Sequence, residues 1–256
     1  MPKSTRTTKL NPVATQLIDA ADRLSTALGE LDFSATTRWV YNPLEYAYRS
    51  YCEYVSRFAR ANVRAVFLGM NPGPWGMTQT GVPFGEVSIV RDWLQIDEPI
   101  GRPAVEHPKR PVMGLGCKRV EISGQRLWGL FRDRFAKPEV FFADHYVTNY
   151  CPLVFMDDGG RNLTPDKLPR DVRARMQTLC DQHLAEVLAA MRPAYLIGIG
   201  AYAAAAARRV VEPLEWTPRP KVVQILHPSP ASPAANSNWS GLATQALIAA
   251  GVWEDD

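Results

Sequence analysis

Three polar side chains, Asn71, Asn149 and His227, each follow closely on a short apolar run, and Phe84 stands in a Gly- and Pro-rich loop just after the first of them. A carboxamide donates and accepts hydrogen bonds at once, and an imidazole does either according to its tautomer. A phenyl ring supplies a stacking face. That inventory suits a flat, hydrogen-bonding ligand such as a nucleobase. The loop itself, residues 69–86, contains no Lys, Cys, Ser or His to act as a nucleophile. Pro72, Pro74 and Pro83 fix φ, while its glycines permit turns and close approach of a ligand.

Other candidates have plainer readings. Residues 106–111 place His107, Lys109 and Arg110 between prolines, an exposed loop that is either a solvated surface or a phosphate contact. Ser123 opens a helical stretch, and as an N-cap it leaves amides free for a phosphate or simply caps the helix. Asp157 and Asp158 are neighbours in a Gly-containing turn and read as solvated. His183 falls within a long helical pattern and reads as structural. Gly198, Gly200 and Ala203 match the dinucleotide-binding spacing, but no acidic residue stands about 20 positions onward for a ribose. Small residues there serve instead to let a helix pack close to a sheet. Cysteines stand at 52, 117, 151 and 180 with no paired spacing, which predicts reduced thiols and neither a metal nor a cluster.

The elements that must position these groups follow from periodicity. Asn11 and Pro12 start a helix over 12–29, and Asn42 and Pro43 precede a second over 44–59. Residues 64–70 form a strand, 71–92 a loop, and 123–135 a helix. A second strand spans 140–147 and leads to Asn149. A long helix runs up to Met191, followed by a strand at 195–199, a helix at 201–211, a strand at 221–226 ending on His227, and a last helix at 240–251. Strands separated by helices predict an α/β fold: a single-domain three-layer α/β/α arrangement around a four-stranded parallel sheet. Parallel strands put Asn71, Asn149 and His227 on one edge, the carboxyl edge at which such sheets bind ligands.

With 256 residues, 46% hydrophobic, one domain over 1–256 is the simplest organisation, residues 1–10 forming a flexible arm. A net charge of +3 permits a nucleic-acid partner without demanding one. The polar N-terminus has no apolar segment behind it, and no run approaches a membrane span. The expected location is therefore cytoplasmic, nucleoid-associated if the source is bacterial, with no membrane partner.

Residues 69–77 and 227–230 resemble the two signature motifs of the uracil-DNA glycosylase superfamily, in the form of its single-strand-selective monofunctional branch. The similarity extends over 80–86, 106–111, 149–153, 160–165 and 233–236, in order along the chain. The resemblance implies hydrolysis of the N-glycosidic bond of uracil, 5-hydroxymethyluracil and related oxidised pyrimidines in single- and double-stranded DNA, by base flipping. It implies that Asn71 positions the attacking water and that His227 donates to the O2 of the departing base. Phe84 stacks on that base and Asn149 pairs with its edge. Met70, Gly73 and Met77 wall the pocket, with room for a 5-substituent. Ser229, Pro230, Ala231, Ser232 and Asn236 form the wedge that enters the duplex. Lys109, Arg110 and Ser123 are the further DNA contacts. No lysine nucleophile is apparent, so no strand-cleaving lyase step is expected and the enzyme is monofunctional; no cofactor is expected, and the chain is expected to be a monomer. Vertebrate members carry Arg where Ala231 stands. The alternatives are a mismatch-specific glycosylase of the same fold, a non-catalytic module that binds damaged DNA, and, last, a dinucleotide-binding oxidoreductase.

Overall fold

In the computed structural model, which describes residues 11–255, four parallel strands form the central sheet: β2 (Ala65–Gly69), β3 (His145–Asn149), β6 (Tyr195–Ile199) and β7 (Lys221–Ile225), in the order β3-β2-β6-β7. All five residues of β2 are buried, as a central strand covered on both faces requires. Its partners are in register, Gly69 opposite Asn149 and Leu68 opposite Gly198, so the carboxyl ends align. The expected α/β fold and four-stranded parallel sheet are therefore present.

Helices α1 (Pro12–Gly29), α7 (Arg170–Met191) and α8 (Ala201–Val211) pack together on one side, and α5 (Ile122–Phe135), α6 (Pro138–Asp144) and α9 (Pro233–Ala249) on the other. Right-handed crossovers produce this division. The connection from β2 to β3 goes to one face, whereas those leaving β3 and β6 go to the other. The carboxyl end of β2 thus opens into a crevice at a topological switch point. At Gly198, an added Cβ would lie 2.4 Å from Ala204 N and Cα, so α8 rests directly on β6. The Gly-Ala pattern there is a packing device, as its sequence suggested.

Several boundaries differ from the sequence reading. Residues 140–147 were expected as a strand, but the stretch is helix up to Asp144 and strand only from His145. Pro138 in the first helical turn sets φ for a helix, and Phe141 and Phe142 bury together against Trp128, Phe131 and Phe58. The second helix breaks at Ala47 into α2 (Pro43–Tyr46) and α3 (Tyr48–Phe58). The last helix begins seven residues early, at Pro233, and is kinked at Asn238, whose φ is −162° and ψ 65°. A small antiparallel sheet of β1 (Trp39–Tyr41), β4 (Val154–Met156) and β5 (Asn162–Leu163) was not foreseen. The arm proposed over 1–10 lies outside the described residues. Among the described residues, no helix is long and apolar enough to cross a membrane.

Candidate active site

Beyond β2, the chain turns through Asn71 into the loop that carries one helical turn, α4 (Met77–Thr80). This loop is pinned from inside: Thr78 Oγ1 donates to Gly73 O at 2.6 Å, and Thr80 Oγ1 to Gly85 O at 2.9 Å. Trp128 Nε1 donates to Pro83 O at 3.1 Å and fixes the approach to Phe84. Phe84 itself takes φ +54°, a left-handed conformation that costs a non-glycine residue about 1 kcal/mol. The surrounding bonds hold it there. Its ring then lies over Gly69, where an added Cβ would stand 2.4 Å from Phe84 Cε2 and 2.3 Å from Asn149 Oδ1. Phe84 and Asn149 therefore meet over the space that only a glycine leaves.

The backbone ladder continues past the strand ends, with Tyr150 N donating to Gly69 O and Cys151 N to Met70 O, both at 2.9 Å. It brings the exit of β3 beside that of β2. A cavity of about 340 Å³ occupies the resulting crevice. Met70, Asn71, Gly73, Met77, Phe84, Asn149, His227, Ser123 and Ser229 all line it. The three strand-end polar groups and the ring thus converge, as predicted. A larger cleft, about 800 Å³, opens at the amino ends of the strands around Arg64, Tyr195 and Trp216 and contains none of the predicted site residues.

Hydrogen bonding assigns each polar group a free valence. Asn71 Nδ2 donates to Leu153 O at 3.1 Å, while its Oδ1 is buried with no partner among the described residues. A buried acceptor left open at a cavity wall awaits a donor. Asn149 Nδ2 faces only Met77 Sδ, at 3.4 Å, a weak acceptor that a ligand oxygen would replace. Ser229 N donates to His227 Nδ1 at 3.1 Å. Nδ1 therefore carries no proton, and the neutral ring holds its hydrogen on Nε2. Burial lowers the His227 pKa and favours that neutral form. The result is an uncharged imidazole with a fixed N–H donor.

The remaining predicted residues are placed as follows. Ser123 is buried at the cavity wall, but it is not the cap of α5. Glu121, with extended backbone, takes that position, so the cap lies two residues earlier than the Ser suggested. In the loop predicted to form the wedge, Pro230 and Ala231 are exposed and Ser232 half-buried. Asn236 braces this loop: its Nδ2 donates to Pro230 O at 2.8 Å, and its Oδ1 accepts from Arg126 at 2.9 Å. Lys109 is exposed and Arg110 half-buried, both outside the cavity wall. His107, read as part of an exposed loop, is 1% exposed instead, with its ring edge-on to Trp39. Its backbone N donates to the Tyr41 hydroxyl, which donates in turn to Arg110 O, so the loop is anchored. Asp157 pairs with Arg161, and Asp158 accepts from Trp39 Nε1. Cys52, Cys117, Cys151 and Cys180 are free thiols.

Sequence reasoning missed Glu121, Asn162 and Thr164, which also line the cavity, and Arg126. Arg126 donates to Pro228 O at 2.9 Å as well as to Asn236, tying α5 to the loop after His227. Glu121 packs behind Gly73, whose added Cβ would lie 3.0 Å from Glu121 Oε2. Burial raises the pKa of this carboxyl, against hydrogen bonding by Ser123. Asn162 and Thr164 lay within the 160–165 similarity, which was the available signal; nothing marked Glu121.

Comparison with known proteins agrees with this geometry. The family model of the Uracil DNA glycosylase superfamily matches residues 56–247. The single-strand selective monofunctional uracil DNA glycosylase of Bos taurus is 45% identical over 230 residues, covering 90% of this chain and 84% of that protein. The Mus musculus protein of the same name is 44% identical, covering 90% and 82%. Among solved structures, wild-type Pedobacter heparinus SMUG2 superposes with a TM-score of 0.60 at 14% identity, over 91% of this chain and 97% of that one, a likeness of fold. The relatives also overturn the cytoplasmic or nucleoid-associated expectation: they are mammalian DNA glycosylases, from which a nuclear protein is expected. The signature motifs, the convergent carboxyl edge and these matches together make the chain a member of the uracil DNA glycosylase superfamily, among its single-strand selective monofunctional uracil DNA glycosylases.

Proposed function

We propose that this chain, acting as a single-domain monomer, excises uracil, 5-hydroxymethyluracil and related oxidised pyrimidines from DNA by hydrolysing the N-glycosidic bond of an extruded nucleotide. The observation that carries the reading is the pair of open valences across one cavity: the unpartnered Asn71 Oδ1 and the Nε2–H of a neutral His227. The departing base gathers negative charge on its ring oxygens while the sugar becomes cationic. A donor already aimed at that oxygen acts where charge develops; one such donor is worth roughly 3–4 kcal/mol in acyl-transfer sites. His227 serves as this donor without needing to change its protonation state.

Asn71 Oδ1 accepts from a water and orients it towards the anomeric carbon. A carboxamide is too weak a base to deprotonate that water early, so the bond to the base breaks first and water is captured late. Leu153 O holds the Asn71 amide in the required orientation. Phe84 supplies the platform for the base, and Asn149 reads its edge. Ser229, Pro230, Ala231, Ser232 and Asn236 face the gap left by the flipped nucleotide, with Ser123, Lys109 and Arg110 on the backbone. Extrusion costs a few kcal/mol in a duplex and less in a single strand. No step calls for a lysine adduct, which supports hydrolysis without strand cleavage.

The test is incubation of the purified chain with oligonucleotides bearing uracil, 5-hydroxymethyluracil or cytosine, followed by alkali. Cleavage after alkali for the first two, and none before alkali, is the expected result. Intact uracil strands would reject the activity, and cleavage confined to uracil would reject the wider range.

A further inference from the structure

Trp75 lies between Gly73 and Gly76, two residues of the cavity wall, yet is not part of that wall. Two guanidinium groups lie against its ring: Arg110 Cζ is 5.2 Å and Arg119 Cζ 5.7 Å from the centroid. Among the described residues neither Arg110 nor Arg119 pairs with a carboxylate, and Arg110 Nε is buried without a partner. Lys109 and Lys118, beside them in sequence, are exposed and likewise unpaired. Uncompensated positive charge gathered on one ring, beside the loop that carries Gly73 and Gly76, repels itself unless an anion occupies the space between.

The arrangement is held rigidly to the catalytic loop. The Gln79 amide donates to Pro74 O at 3.0 Å and to Pro111 O at 3.1 Å, and accepts from Met113 N at 2.8 Å. One buried side chain thus spaces the residue before Trp75 from the residue after Arg110. Arg110 is fixed from behind by the turn at Gly160, where an added Cβ would come within 3.2 Å of the guanidinium carbon. Arg119, by contrast, is exposed and meets the ring from the segment leading into α5.

We propose that Trp75, Arg110 and Arg119 form a phosphate clamp that grips the backbone of the DNA strand carrying the extruded nucleotide. Trp75 is a positioning residue: cation–π attraction holds both guanidinium groups on the outer side of the loop between Gly73 and Gly76. Arg119 takes non-bridging phosphate oxygens through its planar fork, and Arg110, whose Nη1 donates to Lys109 O at 2.8 Å, through the remaining Nη donors. This rests on the reading of DNA as the substrate, and it adds a backbone site that is distinct from the wedge after His227.

The experiment measures steady-state excision of uracil from a single-stranded oligonucleotide, and binding of a fluorescent strand bearing a non-cleavable abasic analogue, each across 50–200 mM salt. Arg119→Ala and Trp75→Ala should raise KM and Kd about fivefold or more with kcat within about twofold, because the backbone is held equally in ground and transition states. The slope of log K against log salt should fall by about 0.7 for each single-strand phosphate that the variant no longer neutralises. Trp75→Phe keeps an aromatic face and should restore most of both. An unchanged salt slope in Arg119→Ala overturns the clamp. So does a Trp75→Ala variant that loses kcat at unchanged slope, which would make Trp75 a cavity wall. A wild-type chain inert on every strand would instead reject the DNA substrate itself.

Discussion

The rings of Phe84 and His227 face one another with centroids 6.4 Å apart and planes inclined by 42°. The tilt prevents a parallel sandwich around a planar guest. In the proposed reading a base lying on Phe84 is inclined to the imidazole by the same angle, and the Nε2–H of His227 is the donor open to a ring oxygen. Replacing His227 with Ala should lower kcat by about a hundredfold or more, the scale of removing one donor from a developing oxyanion, with the melting temperature nearly unchanged. The pH profile is equally specific. Burial lowers the His227 pKa, so the ring is already neutral at pH 7 and Nε2–H persists as pH rises. Activity should stay level from about pH 7 to 9; a fall with the ordinary imidazole range near 6.5 would mean a cationic donor.

Asn71 has one side-chain atom open to the cavity in the proposed reaction. Its Nδ2 is committed to Leu153 O, so only the unpartnered Oδ1 is available to a water. Asn71→Ala should cost about a hundredfold in kcat while KM changes little, since water orientation matters in the reacting complex. Single-turnover excision of uracil measures it. An equal loss in KM would place Asn71 in ground-state binding.

Much of this site was legible because strand ends are legible. A buried apolar run followed by a polar residue and Pro marks the carboxyl edge of a parallel sheet, and three such ends located Asn71, Asn149 and His227. The strand leading to Asn149 was begun five residues early, yet the error cost nothing, since its end and not its start faces the cavity. Glu121 and Arg126 were invisible for a different reason. They reach the site from α5, an element whose bonds to the 228–236 loop depend on how two helices meet across space. The small sheet β1-β4-β5 is similarly non-local: its three short strands lie up to 124 residues apart and none carries an alternating pattern long enough to read.

The close approach over Gly69 can be tested by adding one carbon. Gly69→Ala suits a strand backbone, so the fold should persist, but its Cβ must displace Asn149 Oδ1 and the Phe84 ring together. Uracil excision should fall about tenfold or more, because misplacing a binding group by about an ångström carries that cost. Affinity for free uracil should weaken in parallel. Unaltered kinetics would show that the ring and amide shift without penalty.

Acid should unfold this protein through its buried imidazoles. His145 Nδ1–H donates to Phe141 O at 3.1 Å, and its Nε2 accepts from Trp253 Nε1 at 3.1 Å, which commits the ring to its neutral form. Burial lowers the pKa of both His145 and His183 to about 4. Between 6.5 and 4 the unfolded chain then binds more protons than the folded one, so stability rises with pH in that window. It is complete above about 6.5 and falls away progressively towards 4, a matter of about 3 kcal/mol for each fully shifted histidine. Glu121, with its raised pKa, works in the opposite direction and reduces the sum. Urea midpoints at pH 7.5, 6 and 5 should fall in that order, and a level series would contradict the assignment.

The wedge supplies the last test. Ala231 is exposed at the tip of the loop that follows His227, and its N donates to Ser229 Oγ at 3.2 Å, while Arg126 and Asn236 brace the loop behind it. A methyl group neither fills the stack vacated by a flipped nucleotide nor reaches a phosphate. Duplex excision should therefore lag behind single-strand excision, since only the duplex imposes the unpairing cost. Ala231→Arg should narrow that gap by raising the duplex rate and slowing release of the abasic product, with the single-strand rate little changed. Parallel single-turnover and burst measurements on matched single- and double-stranded substrates read both effects. Equal rates on the two substrates, left unmoved by the arginine, would show that this loop does not open the helix.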